Sequence, residues 1–318
     1  MISVVVPTYN REECLYRMLQ SLDKQNYQDF EVLVIDQTSF VTDKKISDIL
    51  NACKNVHYFQ INGNGRCLAK NFGIEKAKGE VVLFCDDDII ADENFLAEHV
   101  RIHHELSEVG GASCHLIEPH EKEIVHEMPL RITIYGRFIN KANSICDGFV
   151  TSLNGGNMSF KKQALEKVGY FEENLKGTSM LEEPDIAYRL RRTGHKLYFS
   201  SRSRVKHFPQ NNGNIGTKNE KVYQWEKDFY FNQFFFMFRN KRIKYLPFLF
   251  TYLLYRTIFT SIKNKAISFQ YLLLPLSAFK HARNHWKEKR SDYQNDWYTF
   301  KNTNIEILKS ISRQNEFA

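Results

Sequence analysis

Short, nearly all-apolar runs alternate with amphipathic stretches through the first third of the chain. "ISVVV" (2–6), "FEVLVI" (30–35), "VHYFQI" (56–61) and "VVLFC" (81–85) are continuous rather than alternating. A strand with one wet face alternates; a strand covered on both faces does not, so these runs predict buried strands. Between the first two, Leu15, Met18, Leu19 and Leu22 fall on one helical face, and Asn10 with Glu13 predicts a capping-box start. "GRCLAKNFGIEKAKG" (65–79) predicts a second amphipathic helix, with Leu68, Phe72 and Ile74 apolar and Gly79 as its stop. "ENFLAEHVRIHHEL" predicts a third, with Asp92 standing at its start as the cap. Strand–helix–strand repetition with short links predicts an α/β fold, a parallel sheet with helices on both faces.

In an open sheet of this kind, ligands bind outside the carboxyl ends of the strands. The first predicted strand ends in Pro7-Thr8-Tyr9-Asn10, the second in Asp36 and the fourth in Asp86-Asp87-Asp88. Three polar clusters far apart in sequence therefore converge on one edge. Three adjoining carboxylates repel one another, and a divalent cation offsets that repulsion. Oxygen ligands favour Mg2+ or Mn2+ over zinc.

Two later segments carry further signals. In "SLNGGNMSFKKQALEKVGYFEENL" (152–175), Gly155-Gly156 allows close backbone approach or an ordinary turn. Asn157 then opens a short strand, and a helix follows that Gly169 stops. In "LEEPDIAYRLRRTG", Pro184 suits the first turn of a helix. Glu182 and Glu183 sit at its N-terminus, where the helix dipole stabilises negative charge whatever else they do.

"PTYNR", "VID", "AKNFGIEKAKGEVVLFCDDD", "GGNMSFKKQALEKVGYF" and "EEPDIAYRLRRTG" resemble, in order and spacing, the family 2 glycosyltransferases of the GT-A fold, over residues 1 to about 210. The resemblance implies a Rossmann-like sheet and a metal-dependent, inverting transfer of sugar from a nucleotide diphosphate, UDP- or dTDP-linked, to a hydroxyl of a glycan or lipid-linked acceptor. It implies that Asp88 ligates Mg2+ or Mn2+ with His207 closing the metal site, and that Asp86 faces the ribose or the metal beside Asp87. Pro7, Thr8 and Tyr9 would line the nucleotide pocket, and Asp36 would hydrogen-bond the base. Arg66 and Lys70 would meet the diphosphate or else form a solvated helix face. Gly155, Gly156, Asn157 and Glu182 would lie on the acceptor side, and Glu183 takes the place of the general base, with Glu182 and Asp185 as alternatives. The chain departs from the family pattern at Gln37, where a second Asp is common, at Thr38-Ser39 for the usual Gly-Ser, and at Glu183, where Asp is usual.

Composition changes the picture mainly in the C-terminal third. The net charge is +7, yet from residue 201 onward 21 Lys and Arg face 8 Asp and Glu, a balance of +13. There the texture turns aromatic and basic, "WEKDFYFNQFFFMFRNKRIKYLPFLFTYLLYRTIFTSIKNK". The expected organisation is a catalytic domain over 1–220 and a helical appendage over 221–318. That appendage would lie on an anionic membrane surface, or pack on the catalytic domain or on a homodimer partner. "PQNNGNIGTKNE" (209–220) reads as a loop over the donor or as a linker. The six cysteines form no C-x-x-C pair and read as free thiols. With a strand beginning at once and no secretory pattern, the expected place is the cytoplasm, at the inner face of the membrane. The first strand is followed by no glycine, which excludes a dinucleotide-binding oxidoreductase, and no recognised module supports nucleic-acid binding. A non-catalytic binding or scaffold protein that keeps the fold is the alternative reading.

Overall fold

A computed structural model describes residues 1–209, 218–263, 269–294, 297–298 and 306–312. The elements begin β1 (Ile2–Thr8), α1 (Glu12–Asp23), β2 (Phe30–Asp36), α2 (Asp43–Ala52), β3 (Val56–Ile61), α3 (Arg66–Lys76) and β4 (Val81–Cys85). They continue with β5 (Ile89–Ala91), α4 (Phe95–Glu105), β6 (Val109–Ile117), β7 (Leu130–Ile132), β8 (Phe138–Asn140), β9 (Gly148–Val150) and β10 (Asn157–Lys161). Next come α5 (Lys162–Val168), α6 (Glu182–Arg192) and β11 (Lys196–His207). The C-terminal part holds α7 (Lys218–Arg239), α8 (Leu246–Lys263), α9 (Phe269–Leu272), α10 (Leu274–Lys289), β12 (Tyr293–Gln294), β13 (Trp297–Tyr298) and β14 (Ile307–Ser312).

The main sheet runs β14-β3-β2-β1-β4-β10-β6-β11-β5, with β9 on β11. Its heart, β3-β2-β1-β4, is parallel, and the four apolar runs occupy it as their unbroken hydrophobicity requires. The chain steps outward from β1 to β3 and then crosses back to β4. The crevice of such a sheet opens where that order reverses, between β1 and β4. Register aligns the tips: Thr8 stands beside Asp36. Antiparallel β10 starts where β4 ends, pairing Asn157 with Cys85, so the glycines before it arrive at the same edge. Long β11 runs parallel to β6 and pairs His207 with Ile89, directly after the acidic triplet.

Three expected helix boundaries differ, each because a tertiary partner claims the group. Helix α1 starts after Arg11 with no side-chain cap. Asn10 takes a left-handed backbone (φ 54°) and gives its N–H to Thr38 Oγ1 at 2.8 Å, tying the β1 tip to the β2 tip. Helix α3 ends at Lys76, and Gly79 instead presses on β1, where a Cβ would come within 2.7 Å of the Ser3 nitrogen. Asn94, not Asp92, precedes α4; Asp92 accepts from Arg204 N at 2.6 Å and Ser203 Oγ at 3.1 Å, anchoring β11. The stretch 118–148 contains the short β7–β8 hairpin and ends at β9. None of the six cysteines is in a disulfide, and five of them are buried.

The C-terminal helices pack on the sheet domain and form a second core with it. Tyr230, Phe234, Phe235 and Met237 of α7 are fully buried with Leu249 and Leu253 of α8 and Ala282 of α10. The same cluster encloses Leu175 and Leu181, which lead into α6. Asn232 donates to the carbonyls of Lys176 and Met180, both at 3.1 Å. β14 returns to the sheet and pairs antiparallel with β3. The expected loop at 209–220 lies largely outside the described residues. No helix among the described residues is long and apolar enough to cross a membrane.

A buried ionic network joins the two cores. Arg239 of α7 bonds Glu172 at 2.6 Å and Asp185 of α6 at 2.8 Å, Asn240 adds a bond to Asp185, and Arg189 grips the other Asp185 oxygen at 2.8 Å. Removing one member leaves charge buried and unpaired. Arg239→Ala is therefore expected to destabilise the chain by about 3–5 kcal/mol, read from urea unfolding. A loss under about 1 kcal/mol would show that α7 is held by packing alone.

Candidate active site at the strand tips

The three aspartates after β4 diverge to different partners. Asp87, 4% exposed, accepts from Thr8 Oγ1 at 2.7 Å and from Arg11 at 3.1 Å. Burial outweighs both and pushes its pKa up to about 6. Asp88 Oδ2 meets Arg11 at 3.0 Å. Asp88 Oδ1 is buried with no well-aligned donor, while His207 Nε2 stands 3.2 Å away. Burial alone would raise Asp88, but His207 and Arg11 hold it below the usual carboxylate range. The same contact lifts His207 above the ordinary imidazole value against its own desolvation. Glu118 faces the far ring nitrogen of His207 at 3.5 Å.

Asp86, Asp88 and His207 each turn one ligand atom into a common space, all within 4.8 Å of one another. Two carboxylates and an imidazole, with one carboxylate oxygen lacking a donor, fit a divalent cation such as Mg2+ or Mn2+. Arg11 went unassigned in the sequence although it closes the "PTYNR" motif. It partly neutralises the cluster here, and its place directly after the β1 tip was the available signal.

On the β2 side, Asp36 is 2% exposed and held by Tyr58 OH at 2.7 Å and Thr38 N at 2.8 Å. Burial raises its pKa despite those bonds. Gln37 spends its amide on the carbonyl of Gly63 at 2.9 Å. Pro7 is half-buried in β1, and Tyr9 is exposed at the rim. Arg66 stands among Asp86, Glu182 and Glu183, whose charges, Asp86's foremost, hold it protonated. Lys70, expected to meet the diphosphate or to lie on a solvated helix face, is 1% exposed and bonded to Glu182 at 2.6 Å.

The first turn of α6 carries three acids with three fates. Glu182, fully buried, takes Lys70 and accepts from Cys67 Sγ at 3.1 Å, so it ties α6 to α3. Burial opposes its charge, but Lys70 and Arg66 prevail and lower its pKa. Asp185 is taken by Arg189, Arg239 and Asn240. Glu183 is half-buried and receives no side-chain hydrogen bond among the described residues. Burial, and then the charge of Glu182, push its pKa up. The residue before this turn, Leu181, holds a left-handed backbone (φ 80°), a strained state that persists because its side chain is buried in the second core.

The Gly155-Gly156 turn separates Glu183 from the acidic cluster and touches both. A Cβ at Gly155 would lie 2.2 Å from Glu183 Oε1, and one at Gly156 would lie 3.5 Å from Asp86 Oδ2. The longer Glu at 183 fits because residue 155 has no side chain. Asn157 is fully buried, its Oδ1 accepting from Cys114 N at 2.7 Å, so it braces the turn from behind. Asp36 beside Thr8, Thr8 on Asp87, Asp86 near Gly156 and Gly155 against Glu183 make a chain of neighbouring contacts along the strand tips.

The description "Glycosyl transferase family 2" matches residues 3–169 of the chain. Glycosyltransferase GlyG of Streptococcus pneumoniae is 37% identical over 100 residues, 30% of this chain and 33% of that protein. The GalNAc(5)-diNAcBac-PP-undecaprenol beta-1,3-glucosyltransferase of Campylobacter jejuni is 36% identical over 95 residues, 27% of this chain and 29% of that one. The chain thus spans a third or less of these relatives. Among solved structures, mannosyltransferase PcManGT from Pyrobaculum calidifontis, in complex with GDP-Man and Mn2+, superposes with TM-score 0.52 at 16% identity, over 92% of this chain and 76% of its own. Staphylococcus aureus TarS 1-349 in complex with UDP-GlcNAc superposes with TM-score 0.51 at 18% identity over 96% of each chain. At such identities the likeness shows the fold, which is GT-A. The family description covers more than half of the sequence, and the chain belongs to glycosyltransferase family 2.

Proposed function

We propose that this protein transfers a glycosyl unit, with inversion, from a UDP- or dTDP-sugar to a hydroxyl of a glycan or lipid-linked acceptor. The observation that carries the reading is the isolation of Glu183: its two acidic neighbours are claimed by cations, and it alone faces the glycine turn opposite the aspartates. A carboxylate whose pKa is raised by burial is a stronger base than a solvated one, and a hydroxyl nucleophile needs such a base. The acceptor oxygen bonds the anomeric carbon as the bond from that carbon to the diphosphate oxygen breaks. The hydroxyl proton passes to Glu183, and the nucleoside diphosphate leaves with the electron pair.

Asp36, Thr8, Pro7 and Tyr9 would receive the nucleoside, and Arg66 the diphosphate. A divalent cation held by Asp86, Asp88 and His207 would supply Lewis-acid stabilisation of the departing charge. The UDP-GlcNAc of the Staphylococcus structure supports the uridine donor, the Mn2+ that accompanies GDP-Man in the Pyrobaculum structure supports a divalent cation, and the undecaprenol-linked acceptor named for the Campylobacter relative supports the acceptor class. An acceptor of that class favours a protein working at the cytoplasmic face of a membrane.

Glu183→Gln is expected to keep calorimetric binding of UDP with Mn2+ and to lower transfer by about 10²–10⁴-fold. Unchanged turnover would remove Glu183 from the mechanism. Because its pKa is raised, activity should fall as pH drops through a value above the ordinary carboxylate range, and Gln should erase that limb. Asp88→Ala, or chelation, should abolish tight UDP binding in titrations, a result that a metal-independent site would not give. Gly155→Ala would displace the Glu183 carboxylate, so kcat should fall about 100-fold with donor KM little changed.

A further inference from the structure

Helix α8 buries one face and leaves the other apolar face open. Leu249, Leu253, Thr257 and Ser261 turn inward, where Thr257 bonds Tyr230 of α7 at 2.9 Å. On the opposite side Phe248, Leu254, Tyr255, Ile258, Phe259 and Ile262 are between 44% and 68% exposed. From Leu254 to Ile262 they recur at three and four residues, and Phe248 lies two helical turns before Tyr255, so the stripe is about 21 Å long. Ile243 before the helix and Leu272, Leu273 and Leu276 after it are exposed as well. Water-facing surfaces rarely carry an apolar patch of this extent without a partner.

Charge identifies the partner. Arg256 is the one charged residue of α8 before its terminal Lys263, and it is drawn off the stripe by Glu226 at 2.8 Å and the ring of Trp225. Exposed Lys241 and Lys244 stand at the N-terminal end of α8. On α10, exposed Lys280, Arg283 and Lys287 follow Leu276 at helical spacing, so an apolar start leads into a basic face. The surplus of positive charge lies in this third of the sequence and not in the first 200 residues.

We infer that the α8 stripe is a membrane-docking surface that lies flat in the headgroup region of an anionic bilayer, with the basic side chains of α10 and of the 241–244 turn on the acidic headgroups. The 18-residue helix is too short and too polar on its inner face to span, and it has the two-faced character of an interfacial element. A second copy of the chain fits less well, because a two-fold contact through the same face sets one basic cluster near the other. The inference rests on this face alone and is independent of the chemistry assigned to Glu183.

The test is sedimentation of the full chain with vesicles of phosphatidylcholine alone and with 30% phosphatidylglycerol, with and without 0.5 M salt. Binding should require the anionic lipid, and Phe259→Ser with Ile262→Ser should weaken it at least tenfold. Lys280→Glu with Lys287→Glu should weaken it comparably, and more at low salt than at high salt. Unchanged melting temperature and unchanged UDP–Mn2+ binding in the variants would show that fold and donor site are intact. Failure of the parent chain to sediment, equal sedimentation of parent and variants, or equal binding to neutral vesicles would overturn the inference. So would light scattering showing a dimer that the serine variants dissociate.

Discussion

Lys70 and Glu182 meet at 2.6 Å, each 1% exposed, and the position of the reactive edge depends on that contact. A buried ion pair contributes little net stability over an apolar pair of the same shape, but it is costly to break. What it supplies here is placement. Lys70 comes from α3, whose start faces the β1–β4 crevice, and Glu182 opens α6, so the pair fixes the first turn of α6 against the sheet. The Asp185–Arg239 bond fixes the same turn from the other side, against α7. Glu183 lies between these two anchors, where burial, and then the charge of Glu182, raise its proton affinity against the pull of Lys70 and Arg66.

The strand tips meet the opposite problem, too many anions in one place. Arg11 and His207 neutralise part of the triplet, and burial keeps Asp87 readily protonated. The site is therefore balanced by side chains that a divalent cation can displace or join. Asp88 is the most finely divided of the three, with one oxygen on Arg11 and the other turned toward His207 and the shared space.

The strands were legible because burial on both faces writes an unbroken apolar run, and β1 to β4 fall where those runs are. The convergence of Asp36 and the triplet followed from topology alone. Lys70 was not legible as a buried residue, since the partner that permits its burial is 112 positions away. Asn10 and Asp92 carried correct capping chemistry and were claimed by Thr38 and by β11 instead. β7 and β8 are three residues each, too short for any periodicity to register. The aromatic run of α7 announced burial but not against what; only the fold shows that it packs around Leu181, the residue before α6.

The pairing of β14 with β3 has a temporal consequence. Asn62 and Glu306, bonded at the start of this ladder, lie 244 positions apart. During synthesis the hydrogen-bonding groups along the outer side of β3 have no strand partner until the residues of β14, some 244 positions later, have left the ribosome. At a translation rate of roughly 5–20 residues per second, the nascent sheet exposes a raw edge for about ten seconds or longer. A chaperone that shelters that edge would govern how much of the newly made protein escapes aggregation.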